Sequence, residues 1–170
     1  AWDEAKEWYR KAAEAGNVEA QFQLGMSAYL HEDYVEAARW TQPAAEQGHL
    51  GAMNVMANML FYGYGPVQQD QAKSCEYYIK TAELGNTHGL YRAGRCFYLG
   101  VGTGKDKSRA FKYFLQARDR GSNEMWFELG NCFFVGDGVE QNIPEAIKCY
   151  EKGVETTDCK YCRNALGQLY

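Results

Sequence analysis

Apolar residues in this chain recur at helical intervals. In Gly89–Gly121, Tyr91, Ala93, Gly94, Phe97 and Tyr98 keep three- and four-residue steps, and Ala110, Tyr113, Phe114 and Ala117 do so again after a glycine-rich stretch. The pattern predicts a helix, a tight turn and a second helix, with glycine supplying the backbone freedom at the joints. One such hairpin leaves an apolar face on either side, so further hairpins must stack against it.

The same pattern returns along the whole chain. Leu24–Gly25 recurs as Met56–Ala57, Ala93–Gly94, Leu129–Gly130 and Leu166–Gly167, at steps of 32, 37, 36 and 37 residues. The second helix repeats as well, through Ala5–Gly16, Ala37–Gly48, Ser74–Gly85, Ala110–Gly121 and Ala146–Thr157. The short first step reflects His31–Glu32–Asp33 standing where later units carry a longer glycine loop. Small residues at the Gly25-like positions predict close helix approach, with Trp8, Trp40, Tyr77 and Tyr113 filling space between helices. Asn142 is expected to cap the helix that Pro144 enters in its first turn, and Pro43 is expected to bend the helix that contains it. One repeat domain over 1–170 follows. It divides into a second helix at 1–16, four full repeats at 17–48, 49–85, 86–121 and 122–157, and a first helix at 158–170. Because the chain starts and stops in mid-repeat, it is expected to be a piece of a longer array.

These segments carry a recognisable signature. Ala20–Gly25 gives A-x-x-x-L-G, Tyr98–Gly102 gives Y-x-G-x-G, Tyr62–Gly65 continues into Pro66–Val67, and Ala5–Gly16 gives A-x-x-W-Y-x-K-A-A-x-x-G. The chain resembles the Sel-one-like repeat family, relatives of the tetratricopeptide repeat, over nearly its full length. It departs from the family in the missing first glycine loop and the degenerate Val154–Thr157 end. The resemblance implies an all-α fold: a right-handed α/α superhelical solenoid of helix-turn-helix repeats whose concave groove binds other proteins.

Composition changes little in this picture. The charged and apolar shares are those of a folded protein, and no apolar run reaches the length of about 18 residues that a spanning helix needs, so no direct membrane insertion is expected. Charge is more informative. Residues 1–51 hold 4 basic and 9 acidic side chains, residues 52–121 hold 10 and 5, and residues 122–170 hold 4 and 8. The central excess includes Lys105, Lys107, Arg109 and Lys112. An acidic total without a continuous basic face argues against nucleic acid. The bland reading is a solvated edge; the sharper one is an acidic peptide segment crossing the middle of the groove.

Catalytic chemistry is not encoded in any motif. Gly104–Lys105 is followed by Asp106, which breaks the phosphate-loop spacing, and the G-x-G triplets follow helices where a dinucleotide site needs strands. Cysteine-rich members of the resembled family have been linked with penicillin binding and β-lactamase-like activity. A serine acylase needs S-x-x-K, yet Ser27, Ser74, Ser108 and Ser122 are followed three places on by Leu30, Tyr77, Phe111 and Met125. The disulfide of those relatives, from a second helix to the next first helix, would join Cys162 to Gly153 or Val154 and is not carried over. Cys96 and Cys132 read as small buried hydrophobes. Cys159–Lys160–Tyr161–Cys162 is a lone C-x-x-C with no second pair of ligands. It therefore suggests a disulfide, within itself or to Cys149, more than zinc. No metal, no cofactor and no enzymatic activity are expected.

Binding would fall on the first helix of each unit, which in tetratricopeptide-like solenoids lines the concave surface. With the Leu–Gly pair facing the core, the groove side comprises Phe22, Met26, Tyr29 and Leu30, then Asn54, Asn58, Phe61 and Tyr62. It continues with Tyr91, Arg95, Tyr98 and Leu99, then Phe127, Asn131, Phe134 and Val135, and finally Asn164 and Gln168. Asn58, Arg95, Asn131 and Gln168 share one place in successive units. Amides there suit an extended peptide backbone, and Arg95 suits a carboxylate. The competing reading is a solvated polar face with aromatics packed between helices. The expected function is a non-enzymatic adaptor or scaffold for a protein or peptide segment. The alternative is a structural module that self-associates through its open ends. Partner and compartment are not readable from the residues.

Overall fold

A computed structural model describes residues 2–169, with side chains from residue 7 onward. Its described residues form ten helices and no strand. They are α1 (Trp2–Glu14), α2 (Val18–Leu30), α3 (Tyr34–Glu46), α4 (Leu50–Tyr62), α5 (Gln71–Glu83), α6 (Thr87–Leu99), α7 (Lys107–Asp119), α8 (Trp126–Val135), α9 (Ile143–Thr157) and α10 (Lys160–Leu169). Two compact units result, residues 1–81 and 82–170. Within the first, α2 packs on α1, α3 and α4; within the second, α6 packs on α7 and α8 on α7, α9 and α10. Even-numbered helices are therefore the first helices of the repeats, and α2 and α4 lie side by side.

Local chemistry sets these boundaries. Asn17 and Asn86 accept from the backbone N–H of Ala20 and Gly89 at 2.8 Å, starting α2 and α6. His49 does the same for α4 through Nδ1, 3.2 Å from the Ala52 nitrogen. Second helices are capped by acids or amides: Asp33, Asp70, Asp106 and Asn142 accept from Glu36, Lys73, Arg109 and Glu145. The cap at Asn142 and Pro144 in the first turn match the sequence expectation. First helices α4, α6 and α8 stop where Gly63, Gly100 and Gly136 turn left-handed, with φ of 71°, 71° and 81°. The short joint after α2 instead places Glu32 at φ 61°, an unusual conformation for a residue with a Cβ. Helix α3 runs through Pro43 without a break.

Close approach inside each hairpin depends on the small residue of the Leu–Gly pair. A Cβ on Gly94 would lie 2.6 Å from Cε1 of Phe114, and one on Gly130 would meet the ring of Tyr150. Gly25 is closed in the same way by Thr41. The buried core of the first unit is rich in alanine and methionine: Ala37, Ala44, Ala52, Met53, Met56 and Met59. That of the second is larger-grained, with Leu90, Phe97, Phe114, Met125, Leu129 and Tyr150. Trp40 is buried, Tyr77 packs on the core, and Tyr113 stacks on Phe97 at 5.7 Å, as space-fillers should. Trp8 differs from the expectation. It is 72% exposed, with Lys11 Nζ 5.2 Å from its ring centre, because it lies on the outward side of α1.

Candidate binding face

The first unit brings its share of the expected face together, but mostly by packing it. Phe22 is tilted against the His49 ring at 4.3 Å, and Phe22, Met26 and Tyr29 rest on the buried core. Asn54 is buried and accepts from Thr81 Oγ1 at 3.1 Å, which removes it from the accessible face. Asn58 accepts from the Tyr78 hydroxyl at 2.5 Å. Tyr62 continues into a run of rings: Phe61 against Tyr62 at 4.9 Å, Tyr62 on Tyr64 at 5.2 Å, Tyr64 on Tyr34 at 4.6 Å, and Tyr34 against Tyr29 at 5.9 Å. Leu30 is exposed, 71% open to solvent. A hollow of about 670 Å³ lies elsewhere in this unit, between α1, α2 and α3, and takes only Met26 and Leu30 from the expected row.

In the second unit Arg95 is not left waiting for an outside carboxylate. Its Nε lies 3.6 Å from Oε1 of Glu128, and its guanidinium carbon stands 5.8 Å from the Tyr91 ring centre. Tyr91 donates to the same Glu128 oxygen at 3.1 Å. Glu128 is largely enclosed, and burial lifts its pKa above the usual carboxylate range although Arg95 and Tyr91 pull it down. Burial and then the Glu128 charge raise the Tyr91 hydroxyl, so Tyr91 remains a donor at neutral pH. Tyr98 belongs to a second cluster. Lys107 Nζ sits 3.1 Å from its ring centre and 2.9 Å from Asp137 Oδ2. Lys107, one of the basic residues of the central excess, is thereby committed inside the protein.

Farther along the unit the face opens. Phe127, Asn131 and Phe134 of α8 meet Tyr161, Asn164 and Gln168 of α10 around a hollow of about 350 Å³, floored by Tyr150 of α9. Ala165 and Leu169 complete its wall, which holds no charged side chain. Phe127 touches Tyr150 and Tyr161 at ring distances of 6.2 and 5.5 Å. Asn131 uses its carbonyl oxygen to accept from the Tyr150 hydroxyl at 2.7 Å. Asn164 and Gln168 are exposed, as are Tyr161 at 68% and Phe134 at 38%. Val135 and Leu99 are exposed at the C-terminal ends of α8 and α6.

Four participants were not singled out from the sequence: Tyr78, Tyr150, Tyr161 and Glu128. The first two had a signal. Tyr78 follows Asn58 and Tyr150 follows Asn131 at nearly equal intervals, whereas Arg95 is matched by Phe114, which has no hydroxyl to offer an amide. A row of amides facing a row of tyrosines is the trace of an internal hydrogen bond. The cysteines divide as well. Cys132, Cys149, Cys159 and Cys162 are free thiols, so neither disulfide considered for the C-x-x-C is formed. Cys132 is buried as expected. Cys96 is also buried, but neither it nor Cys75 is a free thiol. Cys162 Sγ packs directly against Gly153, where the resembled disulfide would have had its other half. Among the described residues no group of three or more His, Cys, Asp or Glu side chains could hold a metal, and no helix is long and apolar enough to cross a membrane.

Paired helices, glycine joints and a first-helix face together define a helical-repeat protein of the α/α solenoid class. A Sel1 repeat model matches residues 3–17, 18–49, 51–86, 87–122 and 127–155, and the chain belongs to the Sel1 repeat family, whose members are generally protein-interaction scaffolds. Among solved structures it is similar to a protective antigen of uropathogenic Escherichia coli with the SLR fold (30% identity, TM-score 0.86). That match covers 97% of this chain and 36% of the other. A Sel1 repeat protein from Oxalobacter formigenes matches at 30% identity and TM-score 0.82, over 91% and 62%. The chain thus spans between a third and two thirds of the length of these two proteins. Cysteine rich protein B of Helicobacter pylori shares the fold at 22% identity and TM-score 0.56, over 76% of this chain and 92% of that one. No curated protein matches the chain in sequence.

Proposed function

We propose that this chain is a non-enzymatic scaffold that holds a protein or peptide segment on the first-helix face of its second unit, in the hollow between α8 and α10. The observation that carries the reading is the wall of that hollow. It combines aromatic rings from Phe127, Phe134 and Tyr161 with amides from Asn131, Asn164 and Gln168, and none of its residues is charged. Rigid rings give contact area at small entropic cost, and amides both donate to and accept from a peptide backbone. The occupant that suits this wall is a neutral, extended segment with one aromatic or aliphatic anchor. An acidic segment has less support, because Glu128 already answers the charge of Arg95.

A random-peptide display library panned on the chain tests the reading. Peptides enriched on the wild type should lose at least about tenfold in affinity on Tyr161→Ala and Asn164→Ala, the loss expected of interface anchors. They should keep it on Glu151→Ala, an exposed change on α9 outside the hollow. Equal binding by all three variants would reject the hollow as the docking place.

A further inference from the structure

The C-x-x-C segment is not absorbed by the binding reading. Cys159 immediately precedes α10, and its sulfur accepts from the Cys162 backbone N–H at 3.2 Å. That bond strengthens as negative charge builds on the sulfur. Cys159 is half-buried and reachable, while Cys162 is wholly buried against Gly153. Burial and the neighbouring Cys159 thiol hold the Cys162 pKa well above the ordinary thiol value. Both thiols are free. One reachable sulfur at a helix N-terminus, accepting from the backbone of a residue whose own buried thiol lies three places on, is the arrangement that thiol–disulfide exchange requires.

We infer that Cys159 and Cys162 form a thiol–disulfide exchange site whose substrate is a small or exposed disulfide, with Cys159 attacking and Cys162 resolving. In the first step Cys159 Sγ bonds to one sulfur of the substrate disulfide, the substrate S–S bond breaks, and the leaving thiolate takes up the proton given up by Cys159. In the second, Cys162 Sγ loses its proton and attacks Cys159 Sγ. The mixed disulfide breaks, and the second substrate thiol leaves carrying that proton. Two protein thiols are oxidised to one disulfide while the substrate disulfide is reduced to two thiols. The second step is intramolecular, between residues three places apart, so the mixed disulfide is short-lived in the wild type.

Treatment of the full chain with oxidised glutathione, followed by mass spectrometry and peptide mapping, tests this order. In the wild type the Cys159–Cys162 disulfide should form without retained glutathione. Cys162→Ser should trap glutathione on Cys159, and Cys159→Ser should leave Cys162 unmodified. Modification of Cys159 should outpace that of buried Cys149 by at least about tenfold. Glutathione retained on wild-type Cys159, an adduct on Cys162 in Cys159→Ser, or equal labelling of Cys149 would each overturn the assignment. Mapping of the wild type decides the matter even if a variant fails to fold.

Discussion

The first-helix faces of the two units carry the same residue types and use them differently. In the first unit, Phe22, Met26 and Tyr29 settle on the core, Asn54 is buried, and Phe61 and Tyr62 join a run of rings that reaches Tyr34. In the second unit, Phe127, Phe134 and Tyr161 stand around an open hollow with Asn164 and Gln168 exposed beside them. The difference arises one layer below. Under α2 the place that Phe114 and Tyr150 take against Gly94 and Gly130 is held by the smaller Thr41, among alanine and methionine, and the aromatics of α2 sink onto that core. Under α4 the same place is held by the buried ring of Tyr78, so the contrast with the second unit is sharpest at α2. Position in the repeat fixes which way a side chain points. What lies beneath it fixes whether a partner can reach it.

That argument is most exposed at Gly130. Valine there would drive its side chain into the Tyr150 ring, which is itself wholly buried and cannot yield. Gly130→Val should destabilise the second unit by about 3 kcal/mol, as overpacking of a closed core does. Denaturant unfolding would measure it, and binding at the hollow should fall with it because Tyr150 forms its floor. Gly25→Val meets Thr41 Cγ2, the Thr41 backbone nitrogen and the Ala37 carbonyl oxygen; it should cost less because displacing one threonine disturbs less packing than displacing a tyrosine ring. An equal loss at both positions would mean that the two layers are packed alike.

The repeat period, the helix pairs and the glycine joints were legible because each follows from local pattern: helical spacing, Asn or Asp at helix starts, glycine where φ turns positive. The face was legible as a set of positions, and Phe127, Asn131, Phe134 and Asn164 do gather at one hollow. Residue roles were not, since they depend on partners far along the chain. Arg95 suits a carboxylate by type, but the one it meets is internal: Glu128, 33 residues later in sequence, lies 3.6 Å from it. Asn58 and Asn131 looked like peptide-binding amides, and both spend their carbonyl oxygens on a tyrosine of the next helix.

The shared Asn–Tyr bond offers a milder test. Tyr150→Phe removes the donor to Asn131 and should cost about 1 kcal/mol, the usual net worth of one partly buried hydrogen bond. Tyr78→Phe should cost a similar amount through Asn58. The consequences for binding should diverge. Asn131 lies in the wall of the hollow, and its amide would be free to turn, so peptide affinity should change in Tyr150→Phe and stay constant in Tyr78→Phe. Matching affinities in the two variants would show that Asn131 is a packing residue like Asn58.

The smallest effect concerns how the repeats are joined, where the two units again differ. Gly65 closes on Tyr34 and Gly138 closes on Lys107, so the two joints are equivalent. The first is made of rings, with Tyr34 stacked on Tyr64 at 4.6 Å; the second is ionic, with Lys107 2.9 Å from Asp137. The bond from Lys107, then the one from Tyr98, holds the Asp137 carboxyl below the usual carboxylate range. A carboxylate whose folded pKa is depressed adds stability above its unfolded value, and that stability is lost as pH falls through the depressed one. The ionic joint should therefore weaken in acid, while the ring joint should not. Lys107→Met keeps an aliphatic stem near Tyr98 but removes the cation. It should lower stability at neutral pH by less than about 1 kcal/mol, as partly exposed pairs do, and flatten the acid limb of the stability curve. Unfolding free energies measured from neutral pH down through the carboxylate range provide the check. An unchanged slope in Lys107→Met would assign the acid sensitivity to other carboxylates and leave the two joints energetically alike.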